Sequence, residues 1–357
     1  HCHHKLTRTL VMSVIALLPG DGIGSEILDG PIAYLRKLQA EGAPVTITGP
    51  WPYGSTGWKE SGDVLPQETI DACHQADVIL SGAVGTHPGI DSKDCPNPES
   101  GLIELRHIFD LRVSVRNVLL APNKDVIVVR NIIGGAYGDP QSRQESDGVI
   151  AAIDTVKLEP EKVREVLNIA ADYSLDGYRT MSVDKASVYA TSRMWRRLAA
   201  EVFEKRGIKY DNVNVDRAAY ELVKYEELPR VVATEGLFGD ILSDVLCARA
   251  GSPALCGSAT INPDRTFGHG VTALFEPAHG SSPHRTGSRR SNPTGAWLAL
   301  IELLNWCPDL AALNVASKVR NALLETIAEG PATYDLAKPG EPTCNMDEFN
   351  ERVLATL

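Results

Sequence analysis

Val14-Ile-Ala-Leu-Leu18-Pro-Gly-Asp-Gly-Ile-Gly24 is a run of five apolar residues that stops abruptly in a turn containing three glycines. An apolar run of this length, ended by Pro-Gly, reads as a buried strand. A helix is expected to open near Ser25-Glu26, imperfect because Gly30-Pro31 interrupts it early. The turn decides which kind of α/β protein this is. A dinucleotide phosphate loop of the G-x-G-x-x-G type would need glycine at position 25, and Ser25 stands there. The chain therefore starts an α/β fold that is not a Rossmann fold, and the glycines read as a tight strand-to-helix turn.

Further runs of the same kind follow. Asp77-Val-Ile-Leu80, Asp125–Val129, Met181-Ser-Val183 and Arg230–Thr234 read as strands. Helical spacing is found over Glu159–Leu175, Ala186–Lys205, Phe238–Ala248, Ala296–Trp306 and Leu313–Ile327. Apolar strands with helices between them predict a mostly parallel sheet covered on both faces. The 357 residues suit two lobes, at roughly 100–200 residues per domain.

A formal net charge of -11 argues against a general nucleic-acid or membrane binder, but a local arginine cluster can still take an anion. The seven cysteines, at 2, 73, 95, 247, 256, 307 and 344, are scattered, with no C-x-x-C pair. That pattern fits a reducing, cytoplasmic setting better than a disulfide framework or a structural zinc site. No run approaches the roughly 20 apolar residues of a membrane helix. Residues 1–11, with His1, Cys2, His3 and His4 ahead of Met12, read as a leader or tag and are set aside.

Several constellations carry chemistry. Arg106, Arg116 and Arg130 are three guanidiniums, and Arg130 ends a very apolar strand, a costly place for a charge unless it faces a site. Such a set holds carboxylates through bidentate, charge-assisted bonds. Asp240 and Asp244 are four apart, so a helix puts both on one face. Their repulsion is unfavourable unless a hard divalent cation reverses its sign. The blander alternative, a solvated acidic face, sits poorly with Phe238, Ile241, Leu242, Val245 and Leu246 around it. Lys185 stands at a strand-to-helix junction and is a proton carrier if burial or positive neighbours lower its pKa. Alone it reads as a surface lysine, and Tyr137, among glycines, as a turn tyrosine.

Together these segments resemble the β-decarboxylating dehydrogenases, which include the isopropylmalate, isocitrate, homoisocitrate and tartrate enzymes. The likeness rests on Leu18-Pro-Gly-Asp-Gly-Ile-Gly24, Leu105-Arg106 with Asp110 and Arg116, and Val129-Arg130 with Gly134-Gly135 and Tyr137. It continues through Val183-Asp-Lys185, Val215-Asp216, Gly239-Asp-Ile-Leu-Ser-Asp244, Phe275-Glu-Pro-Ala-His-Gly280 and Asn292-Pro-Thr294. The resemblance implies a two-domain fold of the isopropylmalate/isocitrate dehydrogenase type. Residues 12–111 with 252–357 would form the terminal, cofactor-side domain, and 112–251 the central domain with the dimer interface. It implies that Arg106, Arg116 and Arg130 bind substrate carboxylates. Asp240, Asp244 and, from a second subunit, Asp216 would hold Mg²⁺ or Mn²⁺. Lys185, also from the second subunit, would act on the hydroxyl proton, and Tyr137 would protonate carbon after CO₂ leaves. Glu99 would lie near the nicotinamide. Glu276, His279, Gly280, Ser281, His284, Arg285 and Asn292 would form the adenosine-side loop. A homodimer with shared active sites follows from these roles.

Within that family the apolar pair Leu102 and Ile103, with Val188 from the neighbour, fits the isopropyl pocket of the isopropylmalate pattern. Isocitrate, homoisocitrate, tartrate or a specialised malate remain alternative substrates, and a regulatory homologue that only binds ligand is an alternative class. Departures from the pattern are Ser25, Arg112, Asn117, Ser187 and Gly236. Another is His284, where NAD-linked members usually carry Asp. With Arg285, Arg289 and Arg290 it favours NADP over NAD, because positive charge suits a 2′-phosphate.

Overall fold

The computed structural model describes residues 12–86, 95–137 and 154–357; the expected leader, 1–11, lies outside them. Ten strands form one sheet. They are β1 Ser13–Leu18, β2 Val45–Thr48, β3 Val78–Ser81, β4 Val113–Ala121 and β5 Lys124–Asn131, then β6 Thr180–Asp184, β7 Tyr210–Asn214, β8 Val231–Thr234, β9 Cys256–Ile261 and β10 Ala273–Pro277. Their order across the sheet is β2-β1-β3-β10-β9-β4-β5-β8-β6-β7. Both outer parts are parallel, as the apolar runs predict. The centre is not: β10–β9, β9–β4 and β4–β5 pair antiparallel.

That antiparallel centre is what builds a site wall. Along a strand, alternate residues share a face, and cross-strand partners share it too. The register sets Arg116 opposite Ser258, Ser258 opposite Glu276, and Ser114 opposite Arg130. Ser114, Arg116, Arg130, Ser258 and Glu276 therefore project from one face of four adjacent strands. On β5's other side Arg130 is level with Thr234, the last residue of β8, and the helix Gly236–Ala250 starts two residues later. The helix thereby delivers Asp240 beside Arg130.

The expected helix after β1 is split into Gly24–Ile27 and Asp29–Ala40. Pro31 falls in the first turn of the second piece, where its missing N–H costs nothing. The helix expected from Ala186 begins at Ala190, because Lys185–Tyr189 form a turn closed by Val188 and Tyr189 N–H donating to the Lys185 carbonyl. The helix Thr294–Trp306 is apolar nearly all round, so it is buried and carries the core, with Trp297 fully enclosed.

The glycine turn is structural. Gly20 and Gly22 have positive φ, and a Cβ on Gly22 would lie 2.2 Å from the Ser281 carbonyl oxygen. The N–H groups of Asp21 and Ile23 are spent on the carbonyls of Ala83 and Ser281, at 2.8 and 2.9 Å. The buried Asp21 carboxylate accepts from the N–H groups of Ser55, Thr56 and Gly85. Donors occupied in this way do not cradle a phosphate.

Candidate active site

A cleft of about 1080 Å³ opens along the face built by β4, β5, β9 and β10. Arg106, Arg116, Arg130, Asp240 and Tyr137 line it, together with Glu99, Leu102, Ile103, Glu276, His279 and Gly280. One cleft thus joins residues up to 197 positions apart in sequence, from Ala83 to Gly280.

The arginines are held but not saturated. One oxygen of Asp240 meets Arg130 at 2.9 Å and Arg116 at 3.1 Å. Arg130 also donates to the Gly236 carbonyl at 2.8 Å, and Arg116 to the Ser243 hydroxyl at 2.7 Å. Arg106 pairs with Glu276 at 2.9 Å. Each of the three keeps a buried Nε–H with no partner among the described residues. Burial and the neighbouring Arg116 guanidinium push Arg130 below its ordinary range, against the pull of Asp240. A guanidinium in that position still carries its charge, so this end of the cleft is built for anions.

Tyr137 lies against Arg130, its hydroxyl 3.4 Å from a guanidinium N–H and its ring centroid 5.6 Å from Cζ. Part of the lining is aliphatic: Leu102 and Ile103 are joined by Ile132, Ile133, Leu158 and Val163, with Lys157, Glu159 and Lys162 among them. Sequence reading misses the four added aliphatic residues, because Val163 reads as a helix core position and the others lie in short, unpatterned segments.

Arg112, a departure from the family pattern that lies close in sequence to Arg106 and Arg116, does not line the cleft. Its guanidinium is enclosed by Asp110, Glu165 and Asp264. Lys185, Val188 and Asp216 also lie outside the cleft lining. Lys185 and Asp216 form an ion pair that holds the Asp216 carboxyl below its ordinary range. Val188 is exposed.

Asp240 and Asp244 share one helix, and Asp240 faces the cleft. No group of three His, Cys, Asp or Glu able to hold a metal exists among the described residues. Two carboxylates are nonetheless what a Mg²⁺-type ion takes from a protein when substrate and water complete its shell.

The loop after β10 is only partly in the cleft. His279 lines it, its Nδ1 3.0 Å from the Gly280 carbonyl oxygen, and burial lowers its pKa. Ser281 is buried under the glycine turn and donates to the Thr86 carbonyl. Asn292 is buried too, accepting from Thr294 N–H and donating to Asp335. His284 and Arg285 are exposed. Arg289 is neutralised by Asp29 and Asp347. Arg285 and Arg290 instead lie over the Tyr334 ring, at 4.8 and 5.3 Å, without an ion-pair partner among the described residues. Tyr334 has no local signal in the sequence; only the fold brings it here. No helix among the described residues is long and apolar enough to cross a membrane.

The profile of the isocitrate/isopropylmalate dehydrogenase family matches residues 14–353. A 3-isopropylmalate dehydrogenase of Desulfitobacterium hafniense is 31% identical, covering 97% of this chain and 100% of the relative. One from Neisseria meningitidis serogroup A is 33% identical, covering 96% and 99%. Among solved structures, isocitrate dehydrogenase from Methylococcus capsulatus superposes with a TM-score of 0.81 at 26% identity, covering 97% of this chain and 99% of that one. A β-decarboxylating dehydrogenase from Thermococcus kodakarensis gives 0.76 at 26%, covering 97% and 96%.

Proposed function

The chain belongs to the isocitrate/isopropylmalate dehydrogenase family, and from that premise we propose that this dehydrogenase oxidises and decarboxylates a 3-alkylmalate, with 3-isopropylmalate as the first candidate. The observation that carries the reading is one cleft lined both by three arginines and by the aliphatic Leu102, Ile103, Ile132, Ile133 and Leu158. Arg106, Arg116 and Arg130 bind the two carboxylates, and Leu102 and Ile103, with Val188 of the partner subunit, take the alkyl group. Ile132, Ile133, Leu158 and Val163 extend that apolar wall.

Asp240, Asp244 and Asp216 of the partner subunit would hold Mg²⁺ or Mn²⁺, which would supply Lewis acidity toward the substrate oxygens. Glu99 would lie near the nicotinamide, which would supply the hydride acceptor. Lys185 of the partner subunit acts in removing the hydroxyl proton, and Tyr137 gives a proton to carbon once CO₂ has left. Asp240 exchanges its arginine contacts for this role as substrate carboxylates arrive.

The active form is a cytoplasmic homodimer. The exposed Leu237 and Ile241, on the helix that carries Asp240, and the exposed Tyr220 and Val223 support a second copy packing here. Residues 12–111 with 252–357 form its cofactor-side domain, and 112–251 its central domain. The cofactor is NADP or NAD, with NADP favoured. Arg285 and Arg290, both over the Tyr334 ring, favour a 2′-phosphate, beside His284, Glu276, His279, Gly280, Ser281 and Asn292.

The test is reduction of NAD and of NADP, separately, with 3-isopropylmalate and Mg²⁺, repeated with EDTA. Fast, EDTA-sensitive reduction is expected, faster with NADP. Turnover only with isocitrate, tartrate or another malate would keep the chemistry and overturn the role of the aliphatic wall. Silence with every 2-hydroxy acid would leave a ligand-binding homologue.

A further inference from the structure

Gly236 is the first residue of the helix that carries Asp240, and every side of it is in use. Its N–H donates to the Asn131 Oδ1 at 2.8 Å, and its carbonyl accepts from Arg130 Nη1 at 2.8 Å. Its open Cα face meets the Tyr137 ring. A Cβ there would lie 2.9 Å from Tyr137 Cδ2 and 2.5 Å from the Asn131 carbonyl oxygen. φ at Gly236 is not in the left-handed region, so the glycine is needed for space and not for conformation.

Asn131 completes the clamp. Its Nδ2 is 3.3 Å from the Gly134 carbonyl and 3.4 Å from that of Ile133, in the turn that leads to Tyr137. That turn is closed by Tyr137 N–H donating to the Gly134 carbonyl at 3.2 Å. One buried amide thus ties the start of the Asp240 helix to the turn bearing Tyr137. Gly236 supplies the gap in which the ring rests beside Arg130.

We infer that Gly236 and Asn131 are positioning residues that set the Tyr137 hydroxyl for carbon protonation, an inference that rests on the acid role proposed for Tyr137. In that step the C–C bond breaks with its electron pair left on carbon as an enolate. The enolate carbon takes the Tyr137 proton, and the phenolate is reprotonated from solvent. A side chain at 236 meets the Asn131 carbonyl oxygen as well as the ring, so the helix start that holds the Arg130 acceptor shifts together with the Tyr137 hydroxyl. Displacement of a reacting group by about 1 Å costs on the order of 100-fold in rate.

The experiment compares Gly236→Ala, Asn131→Ala and Tyr137→Phe with the unaltered dimer, using 3-isopropylmalate and its 2-deuterated form in H₂O and D₂O. For Gly236→Ala we expect kcat to fall roughly 10- to 100-fold. The solvent isotope effect on kcat should grow and the 2-deuterium effect shrink toward one, because protonation now limits turnover. Asn131→Ala keeps the glycine, adds no bulk and should give the same signature. It decides the matter if Gly236→Ala does not fold. Tyr137→Phe separates the two levels of the argument. If it leaves the limiting step unchanged, the acid role fails. If it shifts that step while both positioning variants keep wild-type isotope effects, this inference alone is overturned.

Discussion

Arg112 and Arg130 stand at the same end of the β4–β5 hairpin and are almost equally buried, 4% and 6% exposed. Their surroundings are opposite. Arg112 faces three carboxylates, and its Nε and Nη2 grip Glu165 in a two-pronged contact. Burial pulls its pKa down, but Glu165, Asp264 and Asp110 outweigh that and leave it raised. Arg130 shares a single Asp240 oxygen with Arg116, keeps an orphan Nε–H and is left lowered. A buried cation is costly unless it is paired and hydrogen-bonded. Arg112 meets that condition inside the fold, whereas Arg130 meets it only with help from an incoming anion. Burial alone does not separate a structural arginine from a binding one; the balance of partners does.

The largest effect should come from breaking this contrast on the binding side. Arg130→Met removes charge-assisted bonds to substrate worth about 1.5–3 kcal/mol each, so the loss of two predicts roughly 10²- to 10⁴-fold lower kcat/KM. Thermal stability should hardly move, since an under-paired buried charge leaves with the side chain. Steady-state kinetics alongside a melting curve checks both halves. Near-normal kcat/KM, or a stability loss like that of Arg112→Met, would refute the assignment.

Arg112→Met should do the reverse. Removing one partner of a buried pair costs about 3–5 kcal/mol. Asp110 and Asp264 are largely exposed and recover solvation, so the lower end, ~3 kcal/mol, is expected. The Asp264 carboxyl, held low chiefly by Arg112, contributes stability that is present above its unfolded pKa and lost on acidification. The variant should lose that pH dependence. A urea midpoint measured at neutral and acid pH, with KM alongside, is the check. A KM rise comparable to that of Arg130→Met would mean that Arg112 reaches the substrate after all.

The same contrast explains what the sequence discloses. β1, β3, β5, β6 and β8 are legible because both faces are buried and their residues run apolar. β4, β9 and β10, at the centre of the sheet, are hidden for a reason tied to the site. Arg116 and Asn117 interrupt β4, Glu276-Pro277 ends β10, and Cys-Gly-Ser-Ala-Thr in β9 is too small and polar to signal a strand. The edge strand β7 is mostly exposed and polar. Three of the four strands that build the cleft wall thus give up their pattern, β5 alone keeping its apolar run up to Arg130, and the antiparallel pairing of the centre is a long-range fact that no local window contains. The candidate residues themselves are more legible than their places. Arg106, Arg116, Arg130, Asp240 and Tyr137 meet at one cleft, whereas Arg112 cannot be told from them until Glu165 and Asp264 arrive from distant segments.

The smallest effect sharpens the comparison from the acid side. Glu302 touches β4 next to Arg116, accepting from the Asn117 amide at 3.1 Å, with Tyr173, Arg230, Arg320 and Asp125 around it. Burial raises its pKa, and Asp125 adds to this, against the hydrogen bond from Asn117 and the charges of Arg320 and Arg230. Asp125 already occupies both arginines, at 2.6 Å to Arg320 and 3.3 Å to Arg230, so little of their charge is left for Glu302. A raised folded-state pKa means stability that is fully present below the unfolded pKa and lost as pH rises through the folded one. Glu302→Gln keeps the acceptor for Asn117 and removes the titration. The variant should melt about 1 °C higher than the unaltered protein at pH 8, and at the same temperature or lower at pH 5. Melting curves across that range decide it: a parallel offset at every pH would mean that Glu302 stays ionised in the folded chain, with arginine charge enough for two acids on this side of the sheet.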